Sequence, residues 1–157
     1  MEALITKISE YEIPNNLFPG VICCYLLKTV FNFDLMTDND LENIFIWYAV
    51  CILIGRIGSL LVEPVLKKII TFVKYEDYKK AIKINQDIEK ISWKANTYRS
   101  LLALSLVMLI ISFVCSFYYC TNIEIVVCII MSVIFSLSYR KQVLYVVKGV
   151  NICIINS

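Results

Sequence analysis

Four long apolar blocks, at residues 17–33, 44–62, 101–119 and 123–139, constrain this chain more than any other feature, since each carries at most one charged residue. Each block is 17 to 19 residues long. Wound as an α-helix rising about 1.5 Å per residue, such a block just crosses a hydrocarbon core about 30 Å thick. The amount of apolar material agrees with the pattern. Hydrophobic residues make up 59% and charged residues 18% of the 157, against about 45–50% and about 25% in soluble domains. The chain therefore reads as an all-α, polytopic membrane protein with four transmembrane helices and a cytoplasmic helical hairpin extension. Soluble, secreted and disordered classes are excluded.

Residues 1–16 are mixed polar and contain Glu2, Glu10 and Glu12. They lack the basic start and short apolar core of a cleavable signal peptide, so the first block is expected to stay in the mature protein. Pro19-Gly20 sits at its start, where a missing N–H costs little in a first helical turn.

Loop charge predicts the orientation. Residues 32–43 hold Asp34, Asp38, Asp40 and Glu42 with no Lys or Arg, and residues 118–124 also lack a basic residue. Residues 64–100 carry Lys67, Lys68, Lys74, Lys79, Lys80, Lys83, Lys90, Lys94 and Arg99, and the tail adds Arg140, Lys141 and Lys148. The positive-inside rule puts the first group outside and the second in the cytoplasm, with both termini cytoplasmic. The expected organisation is a first transmembrane hairpin at 1–63, a cytoplasmic helical hairpin at 64–100, a second transmembrane hairpin at 101–139 and a cytoplasmic tail at 140–157.

Within the cytoplasmic part, Ala81, Ile84, Ile88, Ile91, Ala95 and Tyr98 recur at steps of three and four, the spacing of a coiled-coil seam. One continuous helix is predicted from about Asp77 through the third block. Residues 65–74 are expected to prolong the second block beyond a kink at Pro64, with Tyr75-Glu76-Asp77 as the turn. Val143, Val147, Val150 and Ile154 predict a further amphipathic helix in the tail.

The chemistry available is narrow. With no His, imidazole bases, most zinc and haem sites and Ser-His or Cys-His nucleophiles are absent. Cys23, Cys24, Cys51, Cys115, Cys120, Cys128 and Cys153 form no C-x-x-C pair and read as small hydrophobes. No Walker loop or Gly-rich phosphate cradle exists among four glycines. No enzyme activity, catalytic residue, cofactor or metal is expected.

The candidate functional residues are polar groups inside or beside the blocks. Arg56, Ser59 and Glu63 share one face of an ideal helix, with Arg56 about two turns deeper than Glu63. An arginine at that depth needs water or a partner. It either lines a pore or gate together with Ser59 and Glu63, or it reaches headgroups or pairs with Glu63 as a strut. Gly55 and Ser59, with Gly58 beside them, form a small-residue pair suited to close helix packing. Lys28, near the outer end of the first block, either snorkels to the interface or meets Asp34 or Glu42 in an outer vestibule. Ser105, Ser112 and Ser116 share one face, and Cys128, Ser132 and Ser136 share another; such stripes usually pack helices. Lys79, Lys80, Lys83, Lys90, Trp93 and Lys94, with Tyr75, Tyr78, Tyr98 and Arg99 nearby, offer cations and flat rings to a nucleotide or oligonucleotide messenger. The bland reading is a solvated surface touching anionic lipid.

The four short blocks, the intramembrane arginine in Ile54-Gly55-Arg56-Ile57-Gly58-Ser59 and the basic helical segment resemble the small multi-pass membrane effectors of bacterial anti-phage defence, in particular the Hailong-like channel effectors paired with nucleotidyltransferases. The similarity is one of architecture. It implies a homo-oligomeric pore in the bacterial inner membrane, opened by a cytoplasmic nucleotide or protein signal and depolarising the cell. Assembly is expected because a single four-helix subunit is too small to enclose a hydrated path; no pattern in the sequence encodes the number of copies, and a tetramer is assumed. The alternative is a non-conducting adaptor that recruits a soluble cytoplasmic partner, with Arg56 and Glu63 structural.

Overall fold

The computed structural model describes residues 17–116 and 123–155. The readings made for residues 1–16 and for most of the 118–124 connection, including Cys120, lie outside them, as does the side chain of Ser116. Among the described residues every regular element is helical: α1 (Phe18–Phe31), α2 (Asp40–Lys67), α3 (Tyr75–Ile84), α4 (Asp87–Ser116) and α5 (Ile123–Ile155). Three of them, α2, α4 and α5, are long and apolar enough to cross a membrane.

The first block supplies a shorter helix than its sequence promises. Pro19 lies in its first turn, and Asn32 at φ 53° adopts the left-handed conformation that stops helices. Phe33 N–H then reaches back to the Leu27 carbonyl at 3.0 Å. The resulting 14 residues rise about 21 Å, less than the thickness of a bilayer core. Gly20 abuts the Trp47 carbonyl and Cys51, so the start of α1 lies partway along α2.

The acidic loop after α1 is tightly organised. Asn39 caps α2 by accepting from Leu41 N–H at 3.0 Å. Asn43 accepts from Thr37 N–H at 2.8 Å and donates from Nδ2 to the Thr37 carbonyl at 2.9 Å, so its buried amide is satisfied on both sides.

Helix α2 contains a π-helical turn at Gly58–Val62, where Glu63 N–H bonds to the Gly58 carbonyl. Pro64 follows at once. A proline inside an α-helix lacks a donor and crowds the carbonyl four residues back, and the wider turn relieves that crowding. One extra residue in a turn rotates everything beyond it by about 100°. The helix ends at Lys67, and residues 68–74 are non-helical. Tyr75, Glu76 and Asp77 are thus the first turn of α3, where two acids favour a helix start, and not the turn expected from the sequence.

The predicted unbroken helix from Asp77 is interrupted at Asn85–Gln86. Asn85 is extended (φ −138°, ψ 107°) and its Oδ1 accepts from Asp87 N–H at 2.9 Å, so it closes α3 and opens α4. The apolar seam breaks there too. Ala81, Ile88 and Ala95 are buried, while Ile84 is exposed. Beyond the break α4 runs unbroken into the third block, as the absence of Pro and Gly predicted. At the other end, the fourth block and the tail form one helix of 33 residues, α5.

The long pair α4 and α5 forms the body of the molecule. Ser105 meets Ser132 near its middle and Ile88 meets Gly149 near one end, an antiparallel register. Leu102, Ala103, Leu104 and Met108 of α4 make the main core with Ile54, Val62 and Leu66 of α2 and with Tyr139 and Val143 of α5. Ala81, Ile88 and Val150 form a second, smaller core where α3 packs on α5.

Candidate functional site

The π turn divides the three residues expected to share a face on α2. Arg56, one turn before it, is exposed, and no carboxylate among the described residues lies within ion-pair distance of it. Ser59 is half-buried, and its hydroxyl donates to the Arg56 carbonyl at 3.0 Å. Glu63, beyond the wide turn, points inward. Its Oε2 accepts from Arg99 Nη1 at 2.5 Å, and its Oε1 lies 2.7 Å from Lys67 Nζ. The pairing of Arg56 with Glu63 considered from sequence is therefore replaced by Glu63 with Arg99 and Lys67. Even spacing alone cannot reveal that change, because it assumes 3.6 residues per turn throughout. The signal available was Gly58 followed six residues later by Pro64 in an apolar helix.

The glycines beside Arg56 pack within the chain. A Cβ on Gly58 would stand 3.4 Å from Ala103 Cβ, from Arg99 Cγ and from the Arg99 carbonyl, and one on Gly55 would stand 3.9 Å from Ser100 Oγ. Gly58 thus brings α2 against α4 at the place where Glu63 must reach Arg99. Gly55 and Gly58 both face α4 at this crossing. The Glu63–Arg99 pair is about four-fifths buried on both sides. A charge pair so enclosed ties the two helices together, since removing either partner strands the other.

A cavity of about 270 Å³ opens beside this pair, lined by Glu63, Lys67, Phe72, Tyr75, Tyr78, Asn96, Arg99 and Tyr139 among others. Lys67 Nζ stands 5.6 Å from the centre of the Phe72 ring. Among the described residues, Arg99 Nε is buried without a hydrogen-bond partner. The cavity therefore combines aromatic walls with one carboxylate and two cations. None of the six residues expected to bind a ligand lines it. Lys79, Lys80 and Lys83 are exposed on α3, and Lys90 and Lys94 are exposed on α4 with Trp93 half-buried between them. Lys79 lies over the Tyr75 ring at 4.9 Å, and Lys90 approaches Asp87 at 4.0 Å. The Asn85–Gln86 break separates the two groups.

At the opposite end, Lys28 Nζ pairs with Asp34 Oδ2 at 2.9 Å, both about half exposed. The Lys28 ammonium hydrogen-bonded to it, with the Met36 N–H adding a second bond, holds the Asp34 carboxyl below the ordinary carboxylate range. Of the two acids weighed for Lys28, Asp34 is its partner; Glu42 instead accepts from Asn39 Nδ2 at 3.3 Å.

Ser105, Ser112 and Ser132 of the two stripes lie at helix contacts. Ser132 Oγ donates to Ser105 Oγ at 2.9 Å, and Ser105 Oγ donates to the Leu102 carbonyl at 2.8 Å. Ser105 and Ser112 are buried between helices.

No protein family, curated protein or solved structure matches this chain.

Proposed function

We infer that the chain is one subunit of an oligomeric membrane ion channel or pore-forming effector, gated from the cytoplasmic side by a nucleotide or protein signal and depolarising the membrane in defence. Arg56 carries this reading. It lies 16 residues into the 28-residue apolar helix α2, on the outside of the single chain, with no internal counter-charge among the described residues. A guanidinium facing hydrocarbon at that depth is costly without water or a partner. Assembly of several copies around the Arg56 face supplies a water-filled path, and the arginine then sets its electrostatics.

The gate follows from the same helix. The π turn lies between Arg56 and the Glu63–Arg99 pair. Straightening it would rotate Arg56 relative to a pair anchored on α4, and wide turns of this kind recur at functional sites. A signal acting on α3, or on the cavity beside Glu63 and Arg99, has direct purchase on that turn.

The topology that goes with this reading has four crossings, with residues 64–100 and 140–157 on the cytoplasmic side of a bacterial inner membrane and both termini inside. The unequal loop charge supports it. The short α1 then needs a locally thinned bilayer or flanking residues beyond its helical turns.

The test is conductance of the purified protein in planar bilayers, wild type beside Arg56→Ala. Conductance whose ion selectivity changes with the substitution is the expected result. Silence from an intact oligomer, with nucleotide extract present on the basic side, would refute the pore and leave a membrane adaptor that recruits a soluble partner through α3.

A further inference from the structure

The cavity beside the Glu63–Arg99 pair carries an unbalanced positive charge. Glu63 gives one oxygen to Arg99 and the other to Lys67, so a single carboxylate serves two cations. No other acid among the described residues lies within ion-pair distance of either. The Lys67 side chain is 55% exposed and that of Arg99 21%, so both can meet an incoming group. Ser92 and Asn96 precede Arg99 on the same face of α4, at steps of four and three, and line the cavity with it. They add a hydroxyl and an amide to the donors already there. Part of the surface that the cavity offers is polar.

The facing wall is aromatic. Because α2 stops at Lys67, residues 68–74 cross beside it and set the Phe72 ring 5.6 Å from Lys67 Nζ. Tyr75 and Tyr78, from the start of α3, line the same side. Flat rings accept another ring edge-on or offset, and walls of low polarity strengthen an ionic contact made between them. Size sets the scale of the occupant. A volume of about 270 Å³ falls at the small end of ligand sites, which span about 300–1,000 Å³. It holds one ring and one anionic group, and no polymer.

We propose that this cavity binds a small soluble oxyanion carrying a single flat ring, such as an aromatic phosphate ester, with the anion on Lys67 and Arg99 and the ring against Phe72, Tyr75 and Tyr78. The exposed lysines of α3 and α4 stand outside the cavity and contribute only to its surroundings. The regulatory consequence rests on the gated-channel reading: an anion that competes with Glu63 for Arg99 and Lys67 loosens the anchor beyond the π turn.

The probe is phenyl phosphate, titrated against the full-length chain in phosphatidylcholine nanodiscs and followed by proton saturation transfer to its ring. A dissociation constant of about 0.1–1 mM is expected for a ligand of this size. Phenol, which lacks the anion, and inorganic phosphate, which lacks the ring, should compete about tenfold less well. Lys67→Ala should weaken binding about tenfold, the size of one charge-assisted hydrogen bond, while Lys90→Ala, on the exposed face of α4, should leave it unchanged. Helical circular dichroism confirms that each variant has folded, and Lys67→Gln replaces Lys67→Ala if the latter has not. Replacing half of the disc lipid with phosphatidylglycerol should not displace the probe. Absence of saturation transfer, equal losses in Lys67→Ala and Lys90→Ala, or displacement by the anionic lipid overturns the proposal. Binding is read without conductance, so its failure leaves the pore reading standing, and a silent bilayer leaves this site standing.

Discussion

Gly20→Ala should loosen the junction of α1 with α2 in a way that Gly55→Ala does not. A Cβ at Gly20 would lie 2.0 Å from the Trp47 carbonyl oxygen, where real Cβ contacts essentially never fall below 3.0 Å, so the helices must part by at least about 1 Å. The obstructing atom is backbone and cannot rotate away. Overpacking of this kind costs about 1–3 kcal/mol, and a backbone clash belongs at the upper end. Alanine returns up to about 1 kcal/mol of helix propensity. The net loss is about 1–2 kcal/mol, a factor of about 5–30 in the folded-to-unfolded ratio. At Gly55 the nearest atom, Ser100 Oγ, would be 3.9 Å away, an ordinary contact, so only the propensity gain applies. Equilibrium unfolding in mixed micelles with rising dodecyl sulfate measures both, and Trp47 fluorescence in a Trp93→Phe background reports on the affected junction. If Gly20→Ala proves as stable as Gly55→Ala, the close approach of α1 to α2 is wrong.

Glu63→Gln should cost about 1–3 kcal/mol, between an exposed pair and a fully buried one, because Arg99 loses its carboxylate while solvent still reaches the site. A double-mutant cycle with Arg99→Gln checks this, and strict additivity would contradict the pairing. Ser132→Ala should lose about 0.6 kcal/mol, and at most about 1.7, from the α4–α5 contact, measured by the same unfolding titration. The Lys28–Asp34 contact should weaken only in acid. Because Asp34 is lowered from its ordinary value of 3.8, its contribution is complete above that pH and disappears as pH falls through the lower folded value. A carboxyl-carbon NMR titration reads it directly; Lys28→Gln should move the midpoint upward, and an unmoved midpoint would count against the contact.

Much of the architecture was legible because hydrocarbon is an unforgiving solvent: long apolar runs become helices when backbone groups have no other partner. Three of the four blocks accordingly lie in helices long enough to span. The limits of α1 were harder to read, since its stop depends on Asn32 adopting a left-handed conformation that many asparagines do not adopt. The Asn85 break was readable in part. An asparagine followed by Asp87 and Glu89 is a helix-start signature, but the apolar spacing across it masked the interruption. The Glu63–Arg99 pair was not readable at all. It depends on a contact 36 residues apart and on a turn whose width no hydropathy pattern encodes.

The small core of Ala81, Ile88 and Val150 has a consequence for how the protein comes apart. It stands apart from the main core and is held mainly by α3 on the last turns of α5. Regions with few buried apolar contacts open at a lower free energy than the rest. Amide exchange should therefore resolve two cooperative units, the basic end opening first while the long pair remains protected. Trypsin under native conditions should cut at Lys79, Lys80 or Lys83 before it reaches any other lysine packed against the body, and the helices above the cut should stay folded. Built this way, the basic end can open and close while the long pair of α4 and α5 stays folded.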